Sequence, residues 1–157
     1  MLQFYRKTIL ILSALMFLLT ASYGQSCSEL FFSEYIEGSS NNKAIEIYNP
    51  TSSAISLTGY QVILYSNSST SASSTLNLSG TIAPFDVYVI TNSSAALMDI
   101  TSESDITSGV AGFNGNDALE LLNGTTIIDA IGTPGSNVNF AKDVTLVRNS
   151  TILQGNL

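Results

Sequence analysis

The stretch that decides the fold is residues 30–50, which read LFFSEYIEGSSNNKAIEIYNP. On both sides of a small polar segment, polar and apolar residues largely alternate, as they do in a strand with one buried face. Residues 38–42 separate the two halves, and their glycine, serine and asparagine residues favour a turn. The stretch therefore predicts an antiparallel β-hairpin, with one strand before Gly38 and another after Asn42.

The remainder of the chain predicts further short strands. Segments rich in β-branched, aromatic and aliphatic residues follow at 59–66, 75–80, 86–92, 118–122, 125–131 and 144–148. The Asn123-Gly124 pair between two of them predicts a second hairpin. One helical turn is predicted at 94–98, capped by Ser93 or Ser94. About eight short strands, with frequent turns and no alternating helices, predict an all-β sandwich or barrel.

Residues 1–24 have the pattern of an export signal peptide. Arg6 and Lys7 form a basic beginning, residues 9–19 an apolar run, and residues 21–24 a small-residue exit. We predict cleavage between Gly24 and Gln25. The apolar run is shorter than the roughly 20 residues of a spanning helix, and no later segment is long and apolar enough. The alternative is a leader that stays as a membrane anchor. The expected location is outside the cell or on its surface, with no transmembrane segment after cleavage.

The chain is strongly acidic. It has five basic and twelve acidic residues, a net charge of −7. Two of the basic residues precede Gln25, so residues 25–157 hold three basic and twelve acidic residues, a net charge of −9. This charge repels phosphates at long range, and direct nucleic-acid binding is not expected. It favours cations, basic proteins or sugars as ligands, or it serves only solubility. Cys27 is the single cysteine, so an intramolecular disulfide is impossible.

The sequence offers little material for catalysis. It contains no histidine, which excludes Ser-His-Asp and Cys-His arrangements. It has no glycine-rich loop of the kind that binds phosphates. An enzyme would have to use carboxylates, and we expect none.

Carboxylates are also the only candidate metal ligands. They are Glu34, Glu37 and Glu46 on the first hairpin, and Asp117 in a Gly-Asn-Asp turn. Glu34 and Glu46 should share one sheet face, and carboxylate and amide oxygens, here helped by Asn41 and Asn42, are ligands that Ca²⁺ prefers. The alternative is that the glutamates face solvent or pair with Lys43 or Arg148, and that Asp117 accepts backbone N–H groups in its own turn.

Six segments, taken in order, resemble the lamin-tail domain, an immunoglobulin-like β-sandwich found in secreted bacterial proteins and in animal lamins. They are residues 32–36, 43–50, 55–60, 115–121, 128–132 and 145–148. The resemblance covers nearly all of residues 28–148. It implies an antiparallel immunoglobulin-like sandwich, in a domain that we place at residues 28–157.

The family pattern continues past the strand at 145–148 to a tail with an aromatic residue, often Trp, and this sequence contains no Trp. We therefore expect a sandwich that lacks its last edge segment. An edge with unpaired backbone groups promotes association with other chains. The sequence thus predicts that residues 25–157 associate or are marginally stable.

The resemblance implies a non-catalytic binding or tethering module of a secreted or cell-surface bacterial protein. Its partner would be a protein or an extracellular polymer, bound through loops at 66–75 and 99–114 or through a sheet edge. One alternative is the N-terminal accessory domain of a secreted nuclease or phosphoesterase, with catalysis encoded beyond Leu157. A second alternative is a Ca²⁺-dependent adhesin. Apart from Ca²⁺, no cofactor is expected.

Overall fold

The structure, a computed structural model, describes residues 28–157. The predicted leader, its cleavage between Gly24 and Gln25, and Cys27 lie outside these residues. Within residues 28–157, no helix has the length and hydropathy needed to cross a membrane.

Strands dominate the described part of the chain. They are β1 (Phe31–Glu37), β2 (Lys43–Tyr48), β3 (Ile55–Ser56), β4 (Tyr60–Tyr65), β5 (Ser74–Asn77), β6 (Thr81–Ile82), β7 (Val87–Thr91), β8 (Ile106–Thr107), β9 (Ala118–Asn123), β10 (Thr126–Ile131) and β11 (Thr145–Val147). A single α-helical turn, α1 (Met98–Thr101), and one 3-10 turn (Gly109–Ala111) are the helical elements between residues 28 and 157.

These strands form three sheets. The first has five strands in the order β11-β1-β2-β7-β8, and the second has four in the order β10-β9-β4-β5. Strands β3 and β6 make a separate two-stranded ribbon. Every pairing is antiparallel except the short parallel pair of β7 and β8. The prediction of an all-β, immunoglobulin-like sandwich is confirmed.

The apolar core lies between the five-stranded and four-stranded sheets, where the alternating residues of each meet. The five-stranded sheet contributes Phe32, Tyr35, Ile45, Ile47 and Ile90, and the four-stranded sheet contributes Tyr60, Val62, Leu64, Leu119 and Leu121. Each such side chain contributes about 1.5–3 kcal/mol of transfer free energy when it is fully buried. The alternation read from the sequence therefore supplies most of the driving force for the sandwich.

The first hairpin forms as predicted, with one addition. Tyr35 lies opposite Ile45 and Glu37 opposite Lys43, but the register shifts between Phe32 and Glu34. The shift is a β-bulge, which adds one residue to β1. Because of this extra residue, Phe32 and Tyr35 both face the core although they are three positions apart, which strict alternation forbids.

The second hairpin is also confirmed, with its turn moved by one residue. Asn123 is the last residue of β9 and pairs with Thr126, so the two-residue turn is Gly124-Thr125 rather than Asn123-Gly124. Gly124 has a φ of 61°. Glycine adopts this left-handed conformation without steric cost, which explains its place at the first turn position.

The helical turn predicted at 94–98 is wrong in position, because the structure forms it at Met98–Thr101. Leu97 precedes the turn, and no side chain of this segment caps it. Instead, the Asn42 side-chain oxygen accepts the backbone N–H groups of Ala96 and Leu97 at 2.9 and 3.0 Å. A residue of the first hairpin turn thus fixes where the helical turn begins.

Candidate functional site

The two glutamates of the first hairpin lie side by side on the outer face of the five-stranded sheet. Glu34 on β1 pairs directly with Glu46 on β2, as the sequence predicts. The residue of the bulge, Ser33, places its hydroxyl over the same face and donates to Glu46 Oε1 at 2.7 Å. The bulge therefore both positions Glu34 and gives Glu46 a fixed partner.

This arrangement changes the titration of Glu34. Burial of the side chain, followed by the negative charge of Glu46, raises the pKa of Glu34 above its ordinary value. Both causes disfavour the ionised carboxylate. A cation placed between the two glutamates would relieve the repulsion.

A groove runs between this glutamate pair and α1, and we call it the acidic groove. It encloses about 250 Å³ and is lined by Glu34, Ile36, Ala44, Ile45, Glu46, Val89, Asp99, Ile100 and Glu103. Four of these residues are carboxylates and the other five are apolar; among the described residues that line the groove, none is basic. The groove therefore combines an apolar lining with four acidic groups.

Such a surface suits an elongated organic cation. The methylene stem of a lysine or arginine side chain can pack on apolar residues while its charged end stays among polar groups. Hydrogen bonds between an ammonium or guanidinium group and a carboxylate are among the stronger ones in proteins. The acidic groove offers both parts of this interaction in one place.

The sequence did not single out the α1 half of the groove. Asp99, Glu103 and the buried Ile100 fall in the segment at 99–112, whose few large apolar residues predict only a connection. The spacing of Asp99 and Glu103 is the available signal. Carboxylates four positions apart lie on one face of a helix. Glu103 lies two residues past the end of α1, in the turn that follows it, so this pair predicts a shared surface once the helix and that turn are recognised together.

A comparison with protein-family models identifies the family of this fold. The model described as Lamin Tail Domain matches residues 24–135, which is more than half of the chain and includes β1 through β10. The chain belongs to the lamin-tail-domain family. No curated protein matches the chain. The lamin-tail domain is an immunoglobulin-like fold that is generally non-catalytic and is compatible with a protein-binding role.

Glu37 lies on the core side of the lamin-tail sandwich, away from the acidic groove. Its carboxylate accepts hydrogen bonds from the Lys43 ammonium and from the backbone N–H of Asp143. Burial alone would raise the pKa of Glu37, but the hydrogen bonds from Lys43 and Asp143, together with the positive charges of Lys43 and Lys142, outweigh burial and lower that pKa. Pairing with Lys43, one of the two alternatives weighed from the sequence, is confirmed for this residue.

Asp117 is buried directly before β9 and also acts within the fold. One carboxylate oxygen accepts the backbone N–H of Asn67 at 2.6 Å, and the other accepts that of Asn114 at 2.7 Å. The expectation that Asp117 accepts backbone N–H groups in its own turn is confirmed. The bond to Asn67 adds a link to the loop after β4.

The four predicted metal ligands thus separate into three places. Glu34 and Glu46 lie together, whereas Glu37 and Asp117 each lie elsewhere and bind N–H donors. Between residues 28 and 157, no three His, Cys, Asp or Glu side chains are placed to hold one metal ion. The amide oxygen of Asn42 binds backbone N–H groups near α1. A Ca²⁺ site at these four carboxylates stays a prediction.

The Glu34–Glu46 pair gives a direct test of the groove geometry. Replacing Glu46 with Gln removes the neighbouring charge but keeps the side-chain length, so the pKa of Glu34 should fall toward its ordinary value. It should stay partly raised, because burial is the larger cause. The measurement is an NMR titration of the Glu34 carboxyl carbon. Glu120→Gln on the other sheet is the matched control, and an unchanged Glu34 pKa in Glu46→Gln would contradict the paired geometry.

Proposed function

We propose that this chain is a non-catalytic protein-binding module of a secreted or cell-surface protein. We further propose that its acidic groove binds a basic segment of the partner. One observation carries the proposal: four carboxylates surround an apolar lining with no basic residue among the groove's described lining residues. Membership of the lamin-tail family supports the coarser statement of a binding module.

Charge complementarity selects the chemistry of the partner. The three basic residues after Gln25 are Lys43, Lys142 and Arg148. Lys43 pairs with Glu37 and Arg148 pairs with Asp129, so neither neutralises the groove. The groove is about 250 Å³, smaller than the roughly 300–1,000 Å³ typical of drug-sized ligands. It therefore fits one or two side chains of a peptide better than a large organic molecule.

The test uses a blocked peptide of alternating lysine and isoleucine residues, titrated calorimetrically into the full chain. The double substitution Glu34→Gln with Glu103→Gln should weaken binding about tenfold, since each partly exposed ion pair contributes about 0.2–1 kcal/mol. Added salt should weaken binding of the unsubstituted chain. Lowering the pH through the raised pKa of Glu34 should also weaken it, because protonation removes a negative charge from the groove.

Two controls make this experiment specific. The matched variant is Glu120→Gln, which removes one carboxylate from the four-stranded sheet and should leave the affinity unchanged. The matched peptide has glutamine in place of each lysine and should not bind. Equal affinity of the double variant and the unsubstituted chain would reject the acidic groove as the binding surface.

A further inference from the structure

The edge of the five-stranded sheet at β11 is a second surface, separate from the acidic groove. Strand β11 pairs with β1 on one side, and within residues 28–157 no strand pairs with its other side. Its apolar side chains are exposed, with Leu146 at 41% and Val147 at 70%. An exposed apolar edge strand is a template for pairing with another strand.

The hydrogen bonds of β11 show which backbone groups remain available. The carbonyl of Val144 accepts from Glu37, and the N–H of Arg148 donates to Ser33, so these two residues point toward β1. Backbone groups alternate in direction along an antiparallel strand. The N–H and C=O groups of Thr145 and Val147 therefore point away from the sheet.

We propose that two copies of this chain associate through β11, paired antiparallel about a two-fold axis at Leu146. In this register Thr145 of one copy lies opposite Val147 of the other, and each pair exchanges two hydrogen bonds. The outward N–H and C=O groups of Thr145 and Val147 are then hydrogen-bonded in both copies. The two five-stranded sheets become one continuous sheet across the dimer.

The side chains of β11 agree with this self-pairing. Leu146 shares its face with Tyr35, toward the interior, and lines a cavity of about 250 Å³ with Phe32, Tyr35 and Ile131, at the side of the sandwich where β11 and β10 are the edge strands. Across the axis the two Leu146 side chains would meet over this opening. The strand itself, Thr145–Val147, contains no charged residue, so no like charges oppose each other within the paired segment.

The partner at this sheet edge is a second copy of the chain, because the outward backbone N–H and C=O groups of Thr145 and Val147 are arranged symmetrically on the two sides of Leu146. A C2 interface requires such self-complementarity, in which residue i meets residue j and j meets i. The large negative charge of each copy opposes approach at long range. The association should therefore be measured near physiological ionic strength, where the Debye length is about 8 Å and the repulsion between copies is screened.

Sedimentation of the full chain over a range of concentrations tests the association. The unsubstituted chain should dimerise reversibly. Val147→Pro removes an outward N–H without touching the β1 ladder, and should weaken the dimer about 30-fold, since two symmetry-related hydrogen bonds are lost. Val147→Ala is the matched control: it keeps the N–H and should retain most of the affinity. A concentration-independent monomer, or equal loss in the two variants, would overturn the proposal.

Cross-linking tests the register without relying on the proline variant. In a Cys27→Ser background, Leu146→Cys places two thiols at a directly opposed pair about 4.5 Å apart between Cα atoms, within disulfide reach. It should form a disulfide-linked dimer on mild oxidation. Thr145→Cys is offset from its symmetry mate by two residues along the strand and should cross-link far less. The reverse pattern would reject pairing about Leu146.

Discussion

Replacing Asp129 with alanine should lower the free energy of unfolding by about 3–5 kcal/mol, because it leaves the Arg148 guanidinium without its anion. Asp129 on β10 is fully buried. Arg148 Nη2 contacts both of its carboxylate oxygens, at 2.9 and 2.7 Å. The backbone N–H of Phe32 on β1 donates to the same carboxylate at 2.7 Å, and that of Asn156 at 2.8 Å. One side chain thus joins both sheets and the C-terminal segment.

Urea denaturation, monitored by circular dichroism, measures this loss of unfolding free energy. Urea is uncharged, so it does not screen the ion pair as a salt would. Asp129→Asn keeps the shape and one acceptor oxygen, so it should cost less than alanine. Asp86→Ala is the control, because the exposed Asp86 carboxylate bonds only to the next residue's N–H, and it should change stability by less than about 0.5 kcal/mol. The double variant Asp129→Ala with Arg148→Ala should be less destabilised than the sum of the two single variants. Additive losses would show that the two side chains do not interact.

Truncating Phe113 to alanine should also cost about 3–5 kcal/mol, as removal of a fully buried phenyl ring leaves a cavity. Phe113 is completely buried beyond the 3-10 turn, and its ring stacks on Tyr35 with centroids 4.4 Å apart. The Tyr35 hydroxyl donates to the neighbouring carbonyl of Asn114 at 3.3 Å. The segment before β9 is therefore anchored to β1 through this aromatic pair.

Thermal and urea unfolding of Phe113→Ala and Phe113→Leu test the anchor. Leucine refills most of the volume and should cost less than about 1.5 kcal/mol if the site repacks. Phe85→Ala is the matched control, because the Phe85 ring is 61% exposed and its removal should be nearly neutral. If Phe113→Ala lowered the free energy of unfolding no more than Phe85→Ala does, the stacked Phe113–Tyr35 pair would not stabilise the fold.

The central hairpin and the face on which its glutamates lie were predictable because the signals are local. Alternation assigns Tyr35 and Ile45 to the core face, and the turn chemistry of residues 38–42 fixes which strands pair. With the pairing known, Glu34 and Glu46 must share the other face. The bulge at Ser33 was not predictable in this way, since alternation gives no sign of an inserted residue.

The other half of the acidic groove was not predictable from periodicity. The segment at 99–112 has few large apolar residues, a pattern that predicts a connection, yet Ile100 and Val110 are buried. The position of α1 depends on the Asn42 side chain, which is more than 50 residues away from Ala96 and Leu97 in sequence. A short helical turn has too few hydrogen bonds of its own to fix its ends.

The sequence by itself determined the all-β class, the two hairpins and the glutamate pair, because strand period and turn residues act between neighbours in the chain. Only the tertiary structure decided the strand order β11-β1-β2-β7-β8, the Asp129–Arg148 clamp and the closure of the groove by α1. These depend on contacts such as that between Phe32 and Asp129, which are 97 positions apart. No local pattern encodes which distant residues will meet, because that choice follows from packing the whole core at once.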